Sequence, residues 1–512
     1  MMKNSHLHTQ PAAFRESRRM DLGLGLLLVA LAAALRFWQL TSLGLTHFDE
    51  GSYAMTGRWL ATFGREGWIF QSGHAPGLFP TLVGICFLLF GVHDYAAIGV
   101  SAGTGSLTAG VIYAIGRCWF NRATALLAAL FLATAEYHLI YSRLALTDAT
   151  FTLLFWASLG FLFLGLRENR RRWFISGGVL TGLCWNTKYH GFFPLLLVGA
   201  WLVVQAWYRF VRRQQPVIIA EHWRHLGLAA VLAGLLYLPW FLFVQFSVGY
   251  GAVLQSQLAH SFGQAALLVT PPRTLYFYLS HWLTPALLLA AVAGALDVLL
   301  RRDRSGLFLL LALLLFTAAT LFYLSFPRLL LPVVPGVCLL AALGVQAPAR
   351  LLRRRNHLLK AALATIMLVM NSRAALPVLA LRTDGYRRAA DYLAGVRLPV
   401  LTQMSKNFYF YENRPSFELR RRQPAALDSL LRQAGHAVLA VDPIVQRFPE
   451  LVQWLAKWRP HLSRVHEIPL MMYEPVYYQG FDPTRLAHLP PVIAPFRPGG
   501  AKIEIYEWKN ER

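Results

Sequence analysis

The amino-acid sequence contains eleven apolar runs close to the length of a membrane-spanning helix, which needs roughly 20 residues to cross about 30 Å of hydrocarbon. Of the 512 residues, 14% are charged and 56% are hydrophobic, whereas a soluble globular protein carries roughly 25% charged residues. These proportions exclude a water-soluble enzyme and a disordered chain. They predict a multi-pass α-helical membrane protein with spans near 21–43, 95–116, 122–142, 149–166, 174–188, 190–208, 225–247, 275–299, 305–324, 329–347 and 358–380.

Clusters of arginine between these runs predict which loops face the cytoplasm, because cytoplasmic loops of membrane proteins carry an excess of Lys and Arg. The net charge is +24, but its placement in short loops argues against nucleic acid as a partner and for membrane lipids. Besides the N-terminal Arg15, Arg18 and Arg19, the clusters are Arg167 with Arg170 to Arg172, Arg209 with Arg212 and Arg213, Arg301 with Arg302 and Arg304, and Arg350 with Arg353 to Arg355.

The number of crossings fixes the predicted topology. The N-terminal segment 1–20 and the cluster at 167–172 are both expected in the cytoplasm, so an even number of spans must separate them. The short apolar stretch 78–92 would add a fifth crossing and is therefore assigned to an interfacial or re-entrant helix. The loop 44–94 and the chain after about residue 381 are then external, which predicts a protein of the cytoplasmic (inner) membrane.

The composition changes near residue 381. From there on the chain has 19 Lys and Arg against 13 Asp and Glu, and long apolar runs cease. Helix-like segments alternate with strand-like segments, so residues 381–512 are expected to form an external (periplasmic) soluble α/β domain after a transmembrane module at 21–380. The helix-like segments are 386–394, 425–434 and 450–458, and the strand-like segments are 399–402, 437–441 and 502–508.

Adjacent carboxylates, Asp49 and Glu50, follow the first predicted span and open an amphipathic segment, 53–63, suited to the headgroup plane. One interpretation is that Asp49 caps this helix, since side-chain oxygens accept the unpaired N–H groups at a helix start. A second external carboxylate, Asp148, favours chemistry, because two carboxylates at one membrane face provide a general base with a charged neighbour. Asp148 would otherwise cap the next helix or pair with Arg143.

Several short motifs resemble the family 39 membrane glycosyltransferases, which include protein O-mannosyltransferases and lipid A aminoarabinose transferases. The resemblance runs in order from residue 20 to about 350. The motifs are Phe-Asp-Glu-Gly-Ser-Tyr-Ala at 48–54, His-Ala-Pro-Gly at 74–77, Tyr-Ser-Arg-Leu-Ala-Leu-Thr-Asp at 141–148, Thr-Lys-Tyr at 187–189 and Pro-Arg-Leu-Leu-Leu-Pro at 327–332.

The resemblance implies a GT-C architecture and inverting transfer of a sugar from a polyprenyl-phosphate donor to a lipid, protein or polysaccharide hydroxyl. It implies that Asp49 deprotonates the acceptor, with Asp148 as its catalytic neighbour. The donor phosphate would be bound by cations of the same face. These expected phosphate ligands are Lys188, Arg143 and Arg328, and the expected substrate contacts are Glu50, Tyr53 and His74. For Lys188, snorkelling to lipid headgroups is the alternative.

The sequence departs from the aminoarabinose transferase pattern in two places. Ser52 stands where those enzymes have Arg three residues after the loop Asp, and His74 and Ala75 replace their Glu-Lys pair. These differences argue against lipid A as the acceptor. No cofactor is expected to be required, although His74 and His260 with a carboxylate would suit a divalent metal ion.

Two other functions fit the same apolar composition. A transporter or flippase of a lipid-linked sugar would be expected to have broken helices, midplane charges and internal symmetry, which the sequence does not display. An inactive relative serving as an assembly module would use the loop carboxylates only as helix caps. The concentration of carboxylates at one membrane face favours the enzyme.

Overall fold

The computed structural model describes most of the chain. The described residues are 11–68, 75–212, 217–255, 283–323, 327–351, 357–413, 416–419, 423–443, 445, 449–471 and 502–509.

Each predicted span overlaps a helix within the described residues, although 275–282 of the span 275–299 and residue 324 of the span 305–324 lie outside them. Six helices there have the length and apolar composition of a membrane span, and four apolar helices are shorter. The helices before the C-terminal unit are α1 Pro11–Phe37, α2 Phe48–Ala61, α3 Leu78–Phe90, α4 Asp94–Trp119, α5 Arg122–Thr134, α6 Glu136–Tyr141, α7 Thr147–Glu168, α8 Arg171–Trp185, α9 Phe193–Val211, α10 Val217–Ser247, α11 Pro285–Arg301, α12 Arg304–Tyr323, α13 Val333–Leu351 and α14 His357–Ala380.

Two local details differ from the sequence-based expectation or refine it. The predicted span 122–142 is divided into α5 and α6 because Ala135 has an extended backbone, with φ −65° and ψ 114°. Helix α3 has 13 residues, which is about 20 Å at 1.5 Å per residue and too short to cross the hydrocarbon core. The interfacial or re-entrant placement of this stretch stays a prediction.

The helices pack closely where small residues face one another. Helix α7 lies between α4 and α8, and α11 packs along α13. At the α11–α13 contact, a Cβ on Gly294 would meet the carbonyl of Leu340, and a Cβ on Gly344 would meet that of Ala290. Paired glycines thus let the two backbones touch, as small residues four apart do in membrane helices.

The C-terminal unit is a five-stranded mixed sheet in the order β2-β1-β3-β5-β4. Strand β1 pairs in parallel with β2 and β3, whereas β5 pairs antiparallel with β3 and β4. The three helix-like and three strand-like segments expected from the sequence are present. The elements are α15 Gly385–Leu393, β1 Val400–Thr402, α16 Ser405–Glu412, β2 Phe417–Glu418, α17 Pro424–Ala434, β3 His436–Val441, α18 Pro449–Trp458, β4 Leu462–Pro469 and β5 Lys502–Lys509.

Both faces of this sheet are covered. Alternate residues of β3 point to opposite sides, so Val438 packs with one buried cluster and Leu439 with the other. Helices α15 and α16 cover the first face, and α17 and α18 cover the second. The sequence did not predict α16, which packs directly on α2. The C-terminal unit therefore rests on the helix that carries Asp49.

Candidate active site

Helix α2 begins with a capping box formed by His47 and Glu50. His47 is the N-cap, and its Nδ1 accepts a hydrogen bond from the backbone N–H of Asp49 at 3.0 Å. The Asp49 carboxylate, 6% exposed, instead lies 2.8 Å from the guanidinium of Arg328. The N-cap of α2 is therefore His47 rather than Asp49, and Glu50 completes the capping box.

Glu50 is fully buried and binds backbone groups of two loops. Its carboxylate accepts from the N–H groups of Thr46 at 2.7 Å, His47 at 2.6 Å and Ala145 at 2.6 Å. Burial raises the pKa of Glu50 to about 7, although these donors act in the opposite direction. Glu50 was expected to contact substrate, but its carboxylate is occupied in joining the loop before α2 to the loop before α7.

Asp148 and Lys188 form a second ion pair. The Lys188 Nζ lies 2.6 Å from Oδ1 of Asp148, and the two side chains are 11% and 0% exposed. The ammonium group also lies 5.6 Å from the ring centre of Phe151. Lys188 is thus turned into the protein, which rules out the snorkelling alternative. The other carboxylate oxygen of Asp148, Oδ2, is buried without a hydrogen-bond partner among the described residues.

The two ion pairs lie within electrostatic reach of one another. Burial acts to lower the pKa of Arg328, but the carboxylates of Asp49 and Asp148 outweigh it, so the pKa is raised. The charge of Lys188 likewise interacts with those of Asp148, Arg328 and Asp49. The expected association of Asp49 with Asp148 is therefore present as a four-charge cluster containing two carboxylates and two cations.

Tyr53 joins this cluster from the next turn of α2. It is 5% exposed, hydrogen-bonds the side chain of Thr147, and interacts with the charges of Asp49 and Arg328. Its ring packs edge-on against Phe79 at 5.4 Å. The amphipathic segment 53–63 was expected to lie in the headgroup plane, but α2 is buried from Phe48 to Gly57 because α3 and α16 pack against it.

Arg143 is placed away from the donor-phosphate position expected for it. It is fully buried, and its guanidinium donates to carbonyl oxygens at the end of α1, at 3.1 Å to Arg36 and 2.6 Å to Trp38. The carbonyl of Arg36 belongs to the last turn of α1, and that of Trp38 directly follows the helix. Carbonyl groups at a helix C-terminus have no N–H partner within the helix. Arg143 therefore caps α1, and we remove it from the proposed phosphate ligands.

The two histidines expected to bind metal, His74 and His260, lie outside the described residues. Within the described part of the chain, no group of three or more His, Cys, Asp or Glu side chains could hold a metal ion. The expected substrate contact of His74 is likewise outside the described residues.

Sequence reasoning missed two contributions to this site. His47 caps α2, although histidine is not among the preferred N-cap residues. Asn407 of α16 donates to the carbonyl of Leu45 at 3.0 Å and to that of His47 at 3.3 Å. More than 350 residues separate Asn407 from the loop it binds, so no local pattern in the sequence indicates this contact.

The comparisons with known proteins agree with the resemblance inferred from the motifs. The family model described as dolichyl-phosphate-mannose-protein mannosyltransferase matches residues 64–250. This segment contains Asp148 and Lys188, whereas Asp49 and Arg328 lie outside it. No curated protein sequence matches the chain.

Two solved structures have a similar fold over most of the chain. ArnT from Cupriavidus metallidurans bound to undecaprenyl phosphate is 18% identical, with a TM-score of 0.59, covering 87% of this chain and 96% of ArnT. The oligosaccharyltransferase AglB from Archaeoglobus fulgidus, in complex with an inhibitory peptide and a dolichol-phosphate, is 13% identical. Its TM-score is 0.56, and the alignment covers 93% of this chain and 75% of AglB. The protein has the GT-C fold of membrane glycosyltransferases.

Proposed function

We propose that this GT-C protein is an inverting glycosyltransferase that moves a sugar from a polyprenyl-phosphate donor to a hydroxyl acceptor at the external face of the cytoplasmic membrane. Two kinds of support meet here. The family model is of enzymes that use a lipid-phosphate-linked mannose, and the similar folds of ArnT and AglB are described with bound polyprenyl phosphates.

The observation that carries the proposal is the four-charge cluster of Asp49, Arg328, Asp148 and Lys188. Its formal charges sum to zero, so it carries no net charge before substrate binds. A lipid phosphate entering beside it would find two cations already held in place. Preorganised cations stabilise developing negative charge without the cost of rearranging at the moment of reaction.

The proposed chemical step is a single displacement at the anomeric carbon. The acceptor oxygen forms a bond to that carbon while its proton passes to the carboxylate of Asp49. The bond from the anomeric carbon to the phosphate oxygen breaks, and its electron pair leaves with the polyprenyl phosphate. A positioned base contributes about 10²- to 10⁴-fold to the rate of such a reaction.

The two cations have different proposed tasks. Arg328, with a side chain 18% exposed and touching Asp49, would form a bidentate contact with the phosphate, since its planar guanidinium matches phosphate geometry. Lys188 would supply a point charge while Asp148 holds it in place. Oδ2 of Asp148 would then accept a hydrogen bond from a hydroxyl of the bound sugar.

In a direct test, the purified protein is incubated with a panel of undecaprenyl-phosphate-linked sugars, each radiolabelled in the sugar. Peptides, lipids and polysaccharides are supplied as acceptors. We expect release of undecaprenyl phosphate and appearance of the label in an acceptor for at least one donor. The control variant is Asp49→Asn, which keeps a hydrogen-bond acceptor for Arg328 but removes the base.

The outcomes separate the functions. Turnover of one donor by the wild-type protein and its loss in Asp49→Asn would support the proposal. Turnover at the wild-type rate in Asp49→Asn would remove Asp49 from the mechanism. Movement of intact donor across the bilayer of a proteoliposome, without transfer of label, would identify a flippase instead.

A further inference from the structure

We propose that Lys406 of the C-terminal unit is a positioning residue for Asp49, so that the C-terminal unit completes the active site. This inference rests on the proposed function. It concerns a lysine in the soluble part of the chain, far in sequence from every motif that indicates the transferase.

Lys406 is buried against the first turn of α2. It is 5% exposed, its Nζ donates to the hydroxyl of Ser52 at 2.7 Å, and it lies 4.4 Å from the ring centre of Phe48. Phe48 and Ser52 are four residues apart on one helix face. Phe48 immediately precedes Asp49, and Ser52 follows it by three residues. The ammonium group therefore contacts both sides of the turn that carries the proposed base.

Helix α16 approaches α2 too closely for this contact to be incidental. A Cβ on Gly51 would meet the side chain and backbone N of Asn407, and the carbonyl carbon of Lys406 would lie 2.8 Å away. Glycine at position 51 is thus needed for the two helices to meet. The neighbouring Asn407 binds the loop before α2 at the same time, so α16 holds the turn from two sides.

A fixed cation beside this turn has an electrostatic consequence as well as a geometric one. It favours the charged form of a nearby carboxylate and so lowers the pH at which a carboxylate base becomes active. The other groups that face Asp49 are Arg328, His47, Lys188, Asp148 and Tyr53. All of these remain when Lys406 is replaced, so a shift in the pH profile would report the loss of Lys406 alone.

The test compares Lys406→Met with Lys457→Met in the full-length protein, using the donor that the wild-type enzyme consumes. Lys457 is the matched control, because it belongs to the same unit but is 62% exposed and pairs with Asp428. A small displacement of a catalytic group can cost about 10²-fold in rate. We expect kcat of Lys406→Met to fall by at least about tenfold, with little change in the KM for donor. The acid limb of the profile of kcat against pH should move to higher pH, whereas Lys457→Met should match the wild type.

A second variant, Ser52→Ala, tests the same contact from the other side and remains available if Lys406→Met does not fold; it should also lower kcat. Where Lys406→Met folds, the double variant should lose less than the sum of the two single losses. The inference would be overturned if Lys406→Met kept the wild-type kcat and pH profile. It would also be overturned if the losses of kcat in the two single variants were additive in the double variant. Absence of donor consumption by the wild-type protein would instead contradict the proposed function. Amide hydrogen exchange of residues 48–53 would then still decide whether Lys406 fixes this turn. Faster exchange is expected in Lys406→Met but not in the control Lys457→Met.

Discussion

At the scale of single residues, the buried pair Asp148 and Lys188 can be tested by a double-mutant cycle. Removing one partner of a buried ion pair leaves an uncompensated charge and costs about 3–5 kcal/mol, whereas replacing both with neutral groups is often close to neutral. We therefore expect Lys188→Met and Asp148→Asn each to lower the free energy of unfolding. The double variant should recover most of that loss.

Activity should respond differently from stability in this cycle. If Lys188 binds the donor phosphate, the double variant will stay inactive although its stability returns. Thermal unfolding followed by tryptophan fluorescence, together with release of undecaprenyl phosphate, measures the two quantities on one preparation. Recovery of both stability and activity in the double variant would show that the pair is only structural.

Glu50 provides a second test at this scale, because it separates a structural carboxylate from a catalytic one in the same motif. Glu50→Gln replaces one acceptor oxygen with an N–H₂ group facing the backbone donors of Thr46, His47 or Ala145. Leaving such buried donors unsatisfied costs about 1–3 kcal/mol. We expect a lower melting temperature than for Glu467→Gln, a control at an exposed pair with Lys502. An unchanged melting temperature would contradict the joining role of Glu50.

At the scale of helices and strands, run length and composition predicted most elements of this fold but not β2, β4 or α16. Long apolar runs placed the membrane-type helices, and short strand-like runs placed β1, β3 and β5. What these signals could not predict is contact between distant elements. Helix α16 has the sequence Ser-Lys-Asn-Phe-Tyr-Phe-Tyr-Glu, whose aromatic residues and short length resemble a strand as much as a helix. Its docking on α2, and hence the position of Lys406, depends on tertiary packing.

The candidate site was predicted only in part, because contacts between residues distant in the chain leave no local pattern in the sequence. The sequence indicated that Asp49 and Asp148 share one membrane face, and the structure brings both into one charge cluster. It did not indicate that Glu50 is a structural residue, because Asp49 and Glu50 are adjacent and chemically alike. Only the direction of each side chain distinguishes them. Arg143 was misassigned similarly, since the helix end that it caps lies more than 100 residues earlier in the chain.

The contact between α11 and α13 yields a prediction about helix packing. In Gly294→Ala the added methyl would meet the carbonyl of Leu340, so the helices must move apart and lose contacts. Inserting volume into a well-packed site typically costs about 1–3 kcal/mol. Gly234→Ala in α10 is the control, because nothing lies within 4 Å of its Cβ, and alanine favours helix by about 1 kcal/mol. We expect a lower melting temperature for Gly294→Ala and no loss for Gly234→Ala.

At the scale of the whole molecule, charged groups occupy two opposite ends of the helical region. At one end Asp21 binds Arg122 at 2.6 Å and Arg117 at 3.0 Å, joining the first half of α1 to the end of α4 and the start of α5. At the other end the start of α4 meets the C-terminal unit, where Arg387 lies 3.0 Å from Asp94. Tyr411 donates to the same carboxylate at 2.9 Å and accepts from the N–H of Leu45. The C-terminal unit and the candidate site therefore lie at the opposite end of α4 from Arg117 and from Arg167, whose guanidinium donates to the carbonyl of Cys118.

This arrangement makes the topology testable with two introduced cysteines. Ser429 is an exposed residue of α17 in the C-terminal unit, and Arg170, between α7 and α8, has a side chain that is 58% exposed. The background would carry Cys86→Ser and Cys118→Ser, since Cys184 and Cys338 are buried. Because cytoplasmic loops carry the excess of positive charge, an impermeant thiol reagent should label Ser429→Cys in intact spheroplasts. Arg170→Cys should react only after permeabilisation. The reverse pattern would place the charge cluster in the cytoplasm, where an external acceptor could not reach Asp49, and the proposed site of transfer would have to be abandoned.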